Sequence, residues 1–251
     1  MKRAPWIWLR VAAGFLVVAA TAFALDLWLR FFVLLAYRRD ARKRMAAFGL
    51  ATRVWGDVLF RAASWAVSLD VRIEGRVPRA GRYLIVANHQ SSLDIPFLIT
   101  TLRALDLKFV AMEQLRRGKP VLSIVLRHGG SVCVGKRSVG EDLAAITRFA
   151  GELADIEGSP VIFPAGGLER DQGARRFYLA GLEALRRGAR LPILPVAIDG
   201  MSPAPTVGDL LRLAGARVTM RIGEPVPFEE AGRDPRATYA ALEEWIYGRA
   251  P

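Results

Sequence analysis

The sequence predicts an α/β fold: a mixed, largely parallel sheet flanked by helices, preceded by an N-terminal helical membrane-anchoring segment. Three observations carry this. Short apolar runs such as Tyr83–Ala87, Val161–Phe163 and Ile193–Ile198 stop abruptly at polar, proline or glycine residues, as buried strands do. Stretches with apolar residues at helical spacing alternate with them, the order expected when helices cover both faces of a parallel sheet. The chain also opens on an apolar stretch, Val11 to Leu25, that carries no charge. Two regions follow from this: residues 1–68, hydrophobic and amphipathic helix, and residues 69–251, the α/β domain.

Taken in order, Val11–Leu25 falls short of the roughly 20 residues needed to cross a bilayer. Counting from Trp6 reaches that length but includes Arg10, which would have to snorkel. Apolar sequence resumes at Leu27 and runs to Tyr37. Lys2 and Arg3 precede it, and Arg38, Arg39, Arg42, Lys43 and Arg44 follow, placing the larger basic cluster on the cytoplasmic side. Ala22-Phe23-Ala24 resembles a signal-peptide cleavage site, but the resumed apolar run and the basic cluster favour an uncleaved anchor. Met45–Val67 is an amphipathic helix that either covers the sheet or lies on the membrane.

Strands are expected at Leu69–Glu74, Tyr83–Ala87, Lys108–Met112, Ser131–Val134, Val161–Phe163, Ile193–Ile198 and Arg217–Ile222. Helices are expected at Leu93–Leu105, Val121–Leu126, Glu141–Leu153, Arg175–Arg187 (stopped by Gly188) and Thr238–Tyr247.

Composition narrows the function. Hydrophobic residues make up 52% of the chain and the net charge is +12, a balance that suits anionic lipid or a phosphorylated substrate. The bases are scattered in pairs and no nucleic-acid motif accompanies them, so no nucleic-acid partner is expected. The single cysteine, Cys133, excludes an internal disulfide and reads as a buried strand residue. With two histidines, a histidine-rich metal site is excluded, so no metal is expected.

The chemistry-bearing stretch is Asn88-His89-Gln90-Ser91-Ser92-Leu93-Asp94-Ile95-Pro96, a polar turn between a strand and a helix. An imidazole there with a carboxylate in reach can act as a general base whose tautomer the acid fixes. The plainer alternative makes Asp94 a helix cap and His89 a loop residue. Ser91 and Ser92 are read as turn and cap residues rather than nucleophiles, and His128 as structural or capping. Gly130 to Lys136 matches GxxxxGK, but Arg137 stands where a P-loop needs Ser or Thr, and the middle reads as a strand, so a nucleotide site is rejected.

Asn-His-x4-Asp followed by x-Pro resembles the first motif of the glycerolipid acyltransferases, the 1-acylglycerol-3-phosphate acyltransferase family, over roughly Asp70 to Glu224. The resemblance implies His89 and Asp94 as the catalytic pair. Gly130 to Arg137 is similar to the second motif, in which a base meets the acceptor's phosphate; Lys136 or Arg137 would fill that role, although Gly135 replaces the usual acid. Phe163-Pro164-Ala165-Gly166-Gly167-Leu168-Glu169-Arg170 resembles the third motif, Phe-Pro-Glu-Gly-Thr-Arg-Ser. Phe163, Pro164 and Gly166 match; Ala165, Gly167 and Leu168 replace the glutamate, threonine and arginine, with Arg170 two positions on. Ile193–Ala197 resembles the fourth motif, which lines the acyl site.

The expected function is therefore membrane-bound acyl transfer from acyl-CoA or acyl-carrier protein to the hydroxyl of a lysophospholipid, first of all 1-acylglycerol-3-phosphate, giving phosphatidic acid. Substrate contacts are expected from Lys136, Arg137, Phe163, Pro164, Gly166, Gly167 and Arg170. No metal or redox cofactor is implied. The partners are the lyso-lipid, the acyl thioester and an anionic membrane surface, at the cytoplasmic face of the inner membrane if the source is bacterial. An acyltransferase for another lyso-lipid, such as a lyso-aminolipid, a thioesterase and a non-catalytic lipid-binding relative are the alternatives.

Overall fold

A computed structural model describes residues 5–135, 138–168 and 177–248. The chain begins with α1 (Pro5–Leu27), continues through a π-helical turn (Trp28–Val33) and α2 (Leu34–Ala36), and returns as α3 (Ala41–Val67). Then follow β1 (Asp70–Glu74), β2 (Leu84–Ala87), α4 (Asp94–Thr101), β3 (Leu107–Met112), a 3₁₀ turn (Glu113–Arg116), α5 (Leu122–His128) and β4 (Val132–Val134). The remainder is α6 (Val139–Ile156), β5 (Ser159–Ile162), α7 (Leu179–Ala189), β6 (Ile193–Asp199), a 3₁₀ segment (Val207–Leu213), β7 (Arg217–Ile222), α8 (Phe228–Arg233) and α9 (Pro235–Tyr247).

Among the described residues, seven strands form one sheet in the order β1-β7-β6-β2-β5-β3-β4. Every pairing between them is parallel except β6 with β7, which is antiparallel. β2 lies at the centre, buried on both faces, which explains its unbroken Leu84-Ile85-Val86-Ala87. Its residues alternate between two cores. Ile85 and Ala87 pack with Phe97, Leu98 and Phe60 under α3 and α4. Leu84 and Val86 pack with Phe149, Leu153 and Leu182 under α6 and α7. The mixed, helix-flanked sheet expected from the sequence is thus present.

The seven expected strands lie within a residue or two of their predicted bounds. Two details differ. Gly188 does not stop its helix; α7 runs on to Ala189 and closes with Arg190 in the left-handed region. Gly188 sits inside α7 because a Cβ there would come within 2.5 Å of the Ala150 Cβ on α6. The first two residues of the expected Arg175–Arg187 helix lie outside the described residues, and α7 itself starts at Leu179. α8 and the two 3₁₀ segments are short and lack a period, so the sequence did not reveal them.

The N-terminal helix is longer than the apolar run implied. Residues Trp6–Ala36 form 31 residues of continuous helix with mean hydropathy 1.9, long and apolar enough to cross a bilayer, and only 11% of its most apolar stretch is buried against the rest of the chain. Trp8, Leu9, Phe15, Leu16, Phe23 and Phe31 are exposed. Arg10 has partners within the chain. It donates to the Ser68 hydroxyl at 3.0 Å and lies 4.7 Å over the Trp65 ring, tying α1 to the end of α3. The second half of α3 covers the sheet through Phe60, Ala63 and Val67, its first half packs Phe48 and Ala51 against Leu29, Val33 and Val121, and Leu50, Val54 and Trp65 remain exposed on its outside.

Candidate active site

The site forms where β2 ends. Asn88 extends the β2–β6 pairing with its side chain: Nδ2 donates to the Ile198 carbonyl and Oδ1 accepts the Ile198 N–H, both at 2.7 Å. This clamp fixes the direction in which the chain leaves the sheet. The next residues are anchored to the segment after β6. Gln90 Oε1 accepts the Met201 N–H at 3.1 Å, the Ser91 hydroxyl donates to the Ala204 carbonyl, and the Ser92 hydroxyl donates to the Pro205 carbonyl at 2.9 Å. Both serines therefore hold the turn in place. They do not cap α4 in the expected sense, although Ser91 Oγ also accepts the Leu93 N–H at 3.2 Å.

Asp94, fully buried at the start of α4, gathers three donors on one oxygen: the backbone N–H groups of Gln90 (2.6 Å) and Ser91 (2.7 Å), and Nδ1 of His89 (2.9 Å). In the tautomer in which Nδ1–H donates the third bond, Oδ2 of Asp94 fixes the orientation of the ring. Asp94 is thus the histidine's partner and a brace for the turn; it does not cap α4, whose N-cap Leu93 has no side-chain cap bond. With Nδ1 protonated, Nε2 carries the lone pair, the tautomer a general base needs.

The His89 ring stacks on Phe163, centroids 4.1 Å apart and planes inclined by 16°. β5 delivers Phe163 beside β2, so the first and third motifs meet although 74 positions separate them. Past Phe163 the chain turns: Gly166 N–H bonds the Phe163 carbonyl at 3.0 Å and Tyr178 N–H bonds the Pro164 carbonyl at 2.8 Å. Gly166 has φ +76°, and the ring of Tyr178 lies 3.2 Å from where a Cβ would sit, so the turn and the close approach both require glycine.

These residues open onto an apolar cavity of about 360 Å³ lined by His89, Phe109, Met112, Leu143, Ile146 and Tyr178, among others, and by Phe163, Pro164, Gly166 and Gly167 of the expected substrate set. Its size and lining are those of a site for an apolar ligand with one polar end. Lys136, Arg137 and Arg170, the expected phosphate contacts, lie outside the described residues. Leu115, Ile95 and Val139 also line the cavity and carried no signal in the sequence.

Two sequence readings are settled away from this cavity. His128 ends α5 and stacks on Phe48 with centroids 5.9 Å apart, a structural position. Cys133 is half-buried rather than core, and burial pushes its thiol up to about 11, which leaves it a poor nucleophile. Among the described residues, no group of histidine, cysteine, aspartate or glutamate side chains could hold a metal ion.

Known proteins resemble this chain. It is 24% identical over 165 residues to bovine 1-acyl-sn-glycerol-3-phosphate acyltransferase alpha and 23% identical to the human protein of the same description, in each case over 66% of this chain. The chain spans 56% and 57% of the length of these two curated relatives. A crystal structure described as the 1-acyl-sn-glycerophosphate (LPA) acyltransferase, PlsC, from Thermotoga maritima shares the fold, with a TM-score of 0.59 at 24% identity, covering 96% of this chain and 99% of that one. A family model described as Acyltransferase matches residues 68–199, more than half of the chain, and the chain accordingly belongs to the acyltransferase family.

Proposed function

We propose that the protein transfers an acyl group from a thioester, acyl-CoA or acyl-carrier protein, to the hydroxyl of a lysophospholipid. The observation that carries this reading is the placement of the His89–Asp94 pair at one end of an apolar cavity. The acyl chain lies among Phe109, Met112, Leu143 and Ile146 with its thioester carbonyl beside His89. Nε2 takes the proton of the acceptor hydroxyl as its oxygen attacks that carbonyl. The tetrahedral intermediate collapses, the C–S bond breaks, and the proton returns from Nε2 to the departing thiolate. Asp94 accepts the Nδ1–H bond and stabilises the imidazolium, and Phe163 keeps the ring from rotating.

The resemblance of the curated relatives supports 1-acylglycerol-3-phosphate as acceptor and phosphatidic acid as product, with Lys136, Arg137 and Arg170 meeting the phosphate. The replacement of the third motif's polar residues by Ala165, Gly167 and Leu168 favours a second reading, in which the acceptor is another lyso-lipid with a different head group. The exposed apolar helix Trp6–Ala36 and the basic residues Arg38, Arg39, Arg42, Lys43 and Arg44 hold the enzyme at an anionic membrane surface, on the cytoplasmic face if the source is bacterial.

The test is incubation of the full-length protein in membranes with labelled acyl-CoA or acyl-carrier protein and a panel of lyso-lipids, with products read by mass and thiol release followed in parallel. Acylated product from lysophosphatidic acid supports the first acceptor, and product only from another lyso-lipid supports the second. Thiol release that is indifferent to every acceptor overturns both in favour of a thioesterase.

A further inference from the structure

Asp26 is the single carboxylate between Trp6 and Ala36, inside an otherwise apolar helix. Arg30, one turn on, satisfies it with two bonds, Nε to Oδ2 at 2.6 Å and Nη2 to Oδ1 at 3.2 Å. That ion pair would suffice to neutralise the charge. Asp26 Oδ1 nevertheless accepts a further bond, 2.9 Å long, from the backbone N–H of Val121, which lies 95 positions away in the α/β domain.

Val121 is no ordinary partner. Ser68, Glu157 and Arg190 also have positive φ, but each ends a helix in the left-handed region, where such residues are tolerated. Val121 begins a helix, at φ +59° and ψ −57°, outside that region, with a β-branched side chain that is 1% exposed among Leu29, Val33 and Phe48. Strain of this kind persists only when the surroundings hold it, and it gathers where geometry serves function.

The strained residue closes the segment that forms one wall of the candidate pocket. Met112 and Leu115, which line the cavity, lead into residues 117–120, and these lead into Val121. α5 is fastened back onto the same segment: Arg127 donates to the Arg116 carbonyl through Nε (3.0 Å) and Nη2 (2.8 Å). Val121 is thus linked to Leu115 and Met112 by the intervening residues and by the Arg127–Arg116 bonds.

We propose that Asp26 is a positioning residue for acyl transfer: by holding Val121 in its strained conformation, the apolar N-terminal helix sets the Met112–Leu115 wall of the acyl pocket. This rests on the proposed acyltransferase reading. The contact makes the helix part of the pocket's architecture as well as an anchor, so the pocket reaches its working shape only when the helix is seated.

The experiment uses the full-length protein in phosphatidylglycerol vesicles with palmitoyl-CoA and lysophosphatidic acid, or whichever lyso-lipid the wild type acylates. Asp26→Ala leaves Arg30 without its partner, but the Arg30 side chain is 43% exposed and can meet the anionic head groups, so vesicle binding should stay within twofold of wild type. Its kcat should fall tenfold or more, with the acceptor KM within twofold. Asp26→Asn, which keeps an acceptor oxygen for Val121, should retain at least a third of the activity. Asp26→Ala combined with Val121→Gly, which removes the strain, should recover at least half of the lost turnover. Hydrogen exchange gives a readout independent of turnover: residues 112–121 should exchange faster in Asp26→Ala, while the turn at residues 88–94 stays unchanged. Wild-type turnover in Asp26→Ala, loss in proportion to lost vesicle binding, or unaltered exchange at 112–121 overturns the proposal. An inactive wild type overturns the acyltransferase reading instead, and the exchange comparison then decides whether Asp26 holds the wall.

Discussion

Nδ1 of His89 lies 2.9 Å from Oδ2 of Asp94, and that same oxygen accepts the N–H groups of Gln90 and Ser91. With Nδ1–H donating to that oxygen, the imidazole is held in the tautomer that leaves Nε2 as the base. Asp94→Asn presents either an amide NH₂ or a weaker acceptor to the same donors. It should lower turnover by orders of magnitude, about 10⁴ in comparable triads, and His89→Ala should abolish transfer. Circular dichroism should show both variants folded. Near-normal product formation in either would remove the base assignment.

Asn88 supports this pair without touching the substrate. Replacing it by alanine leaves the Ile198 N–H and carbonyl without their side-chain partners in a buried strand, each worth about 1–3 kcal/mol. The expected result is a melting temperature lower by about 5 °C or more, together with reduced turnover, because the turn carrying His89 loses its attachment to β6. Unchanged melting and turnover would show that the clamp is dispensable.

Glu183 predicts an acid-side instability. Arg186, with bonds of 2.9 Å to each carboxylate oxygen, and the Tyr239 hydroxyl hold its carboxyl well below the usual range, at about 2, against the opposing effect of burial. A depressed folded-state value means the stabilisation is complete above about pH 4.5 and is lost as pH falls towards 2. The effect should be about 1–2 kcal/mol, because the carboxylate stays partly open to water, which screens it. Melting temperature followed from pH 6 to pH 2.5 should fall less steeply in Glu183→Gln than in wild type; parallel curves would refute the assignment.

Cys133 should be a bystander. Its thiol, pushed up by burial to about 11, is almost entirely protonated at pH 7.5. Cys133→Ala should keep wild-type kcat, and iodoacetamide should alkylate the native thiol far more slowly than the unfolded one. Rapid inactivation by the reagent at neutral pH would contradict this.

The acceptor prediction concerns residues 136 and 137. A charge-assisted bond to phosphate is worth about 1.5–3 kcal/mol, roughly ten- to a hundredfold in affinity. If Lys136 and Arg137 do the work of the polar side chains that Ala165, Gly167 and Leu168 replace, changing both to alanine should raise the KM for lysophosphatidic acid tenfold or more, with a smaller effect on the donor. Leu168→Arg should leave that activity unchanged or improve it. A wild type that ignores lysophosphatidic acid but acylates a zwitterionic lyso-lipid would reject the phosphate contact.

What the sequence determined by itself was the alternation of strands and helices and the Asn88–Pro96 stretch. Both are local signals. Central strands such as Leu84–Ala87 and Ile193–Asp199 are buried on both sides and so read as unbroken apolar runs, and a histidine five positions before an acid at a strand end is visible without any distant contact. What only the tertiary structure decided were relationships between residues far apart in the chain. Phe163 stacks on His89 because β5 pairs with β2, and no spacing encodes that pairing. Gly188 looked like a helix stop because glycine usually is one; the close approach of α6 at Ala150 makes it an interior residue. Arg10 read as an isolated charge in an apolar run, and only folding places Ser68 and Trp65 beside it. Asp26 looked like the end of an apolar run, and its bond to a strained Val121 exists only because folding brings the first helix against the fifth. Side chains at such places answer to partners that local propensity does not record, and those partners turn a readable motif into a pocket with a shape.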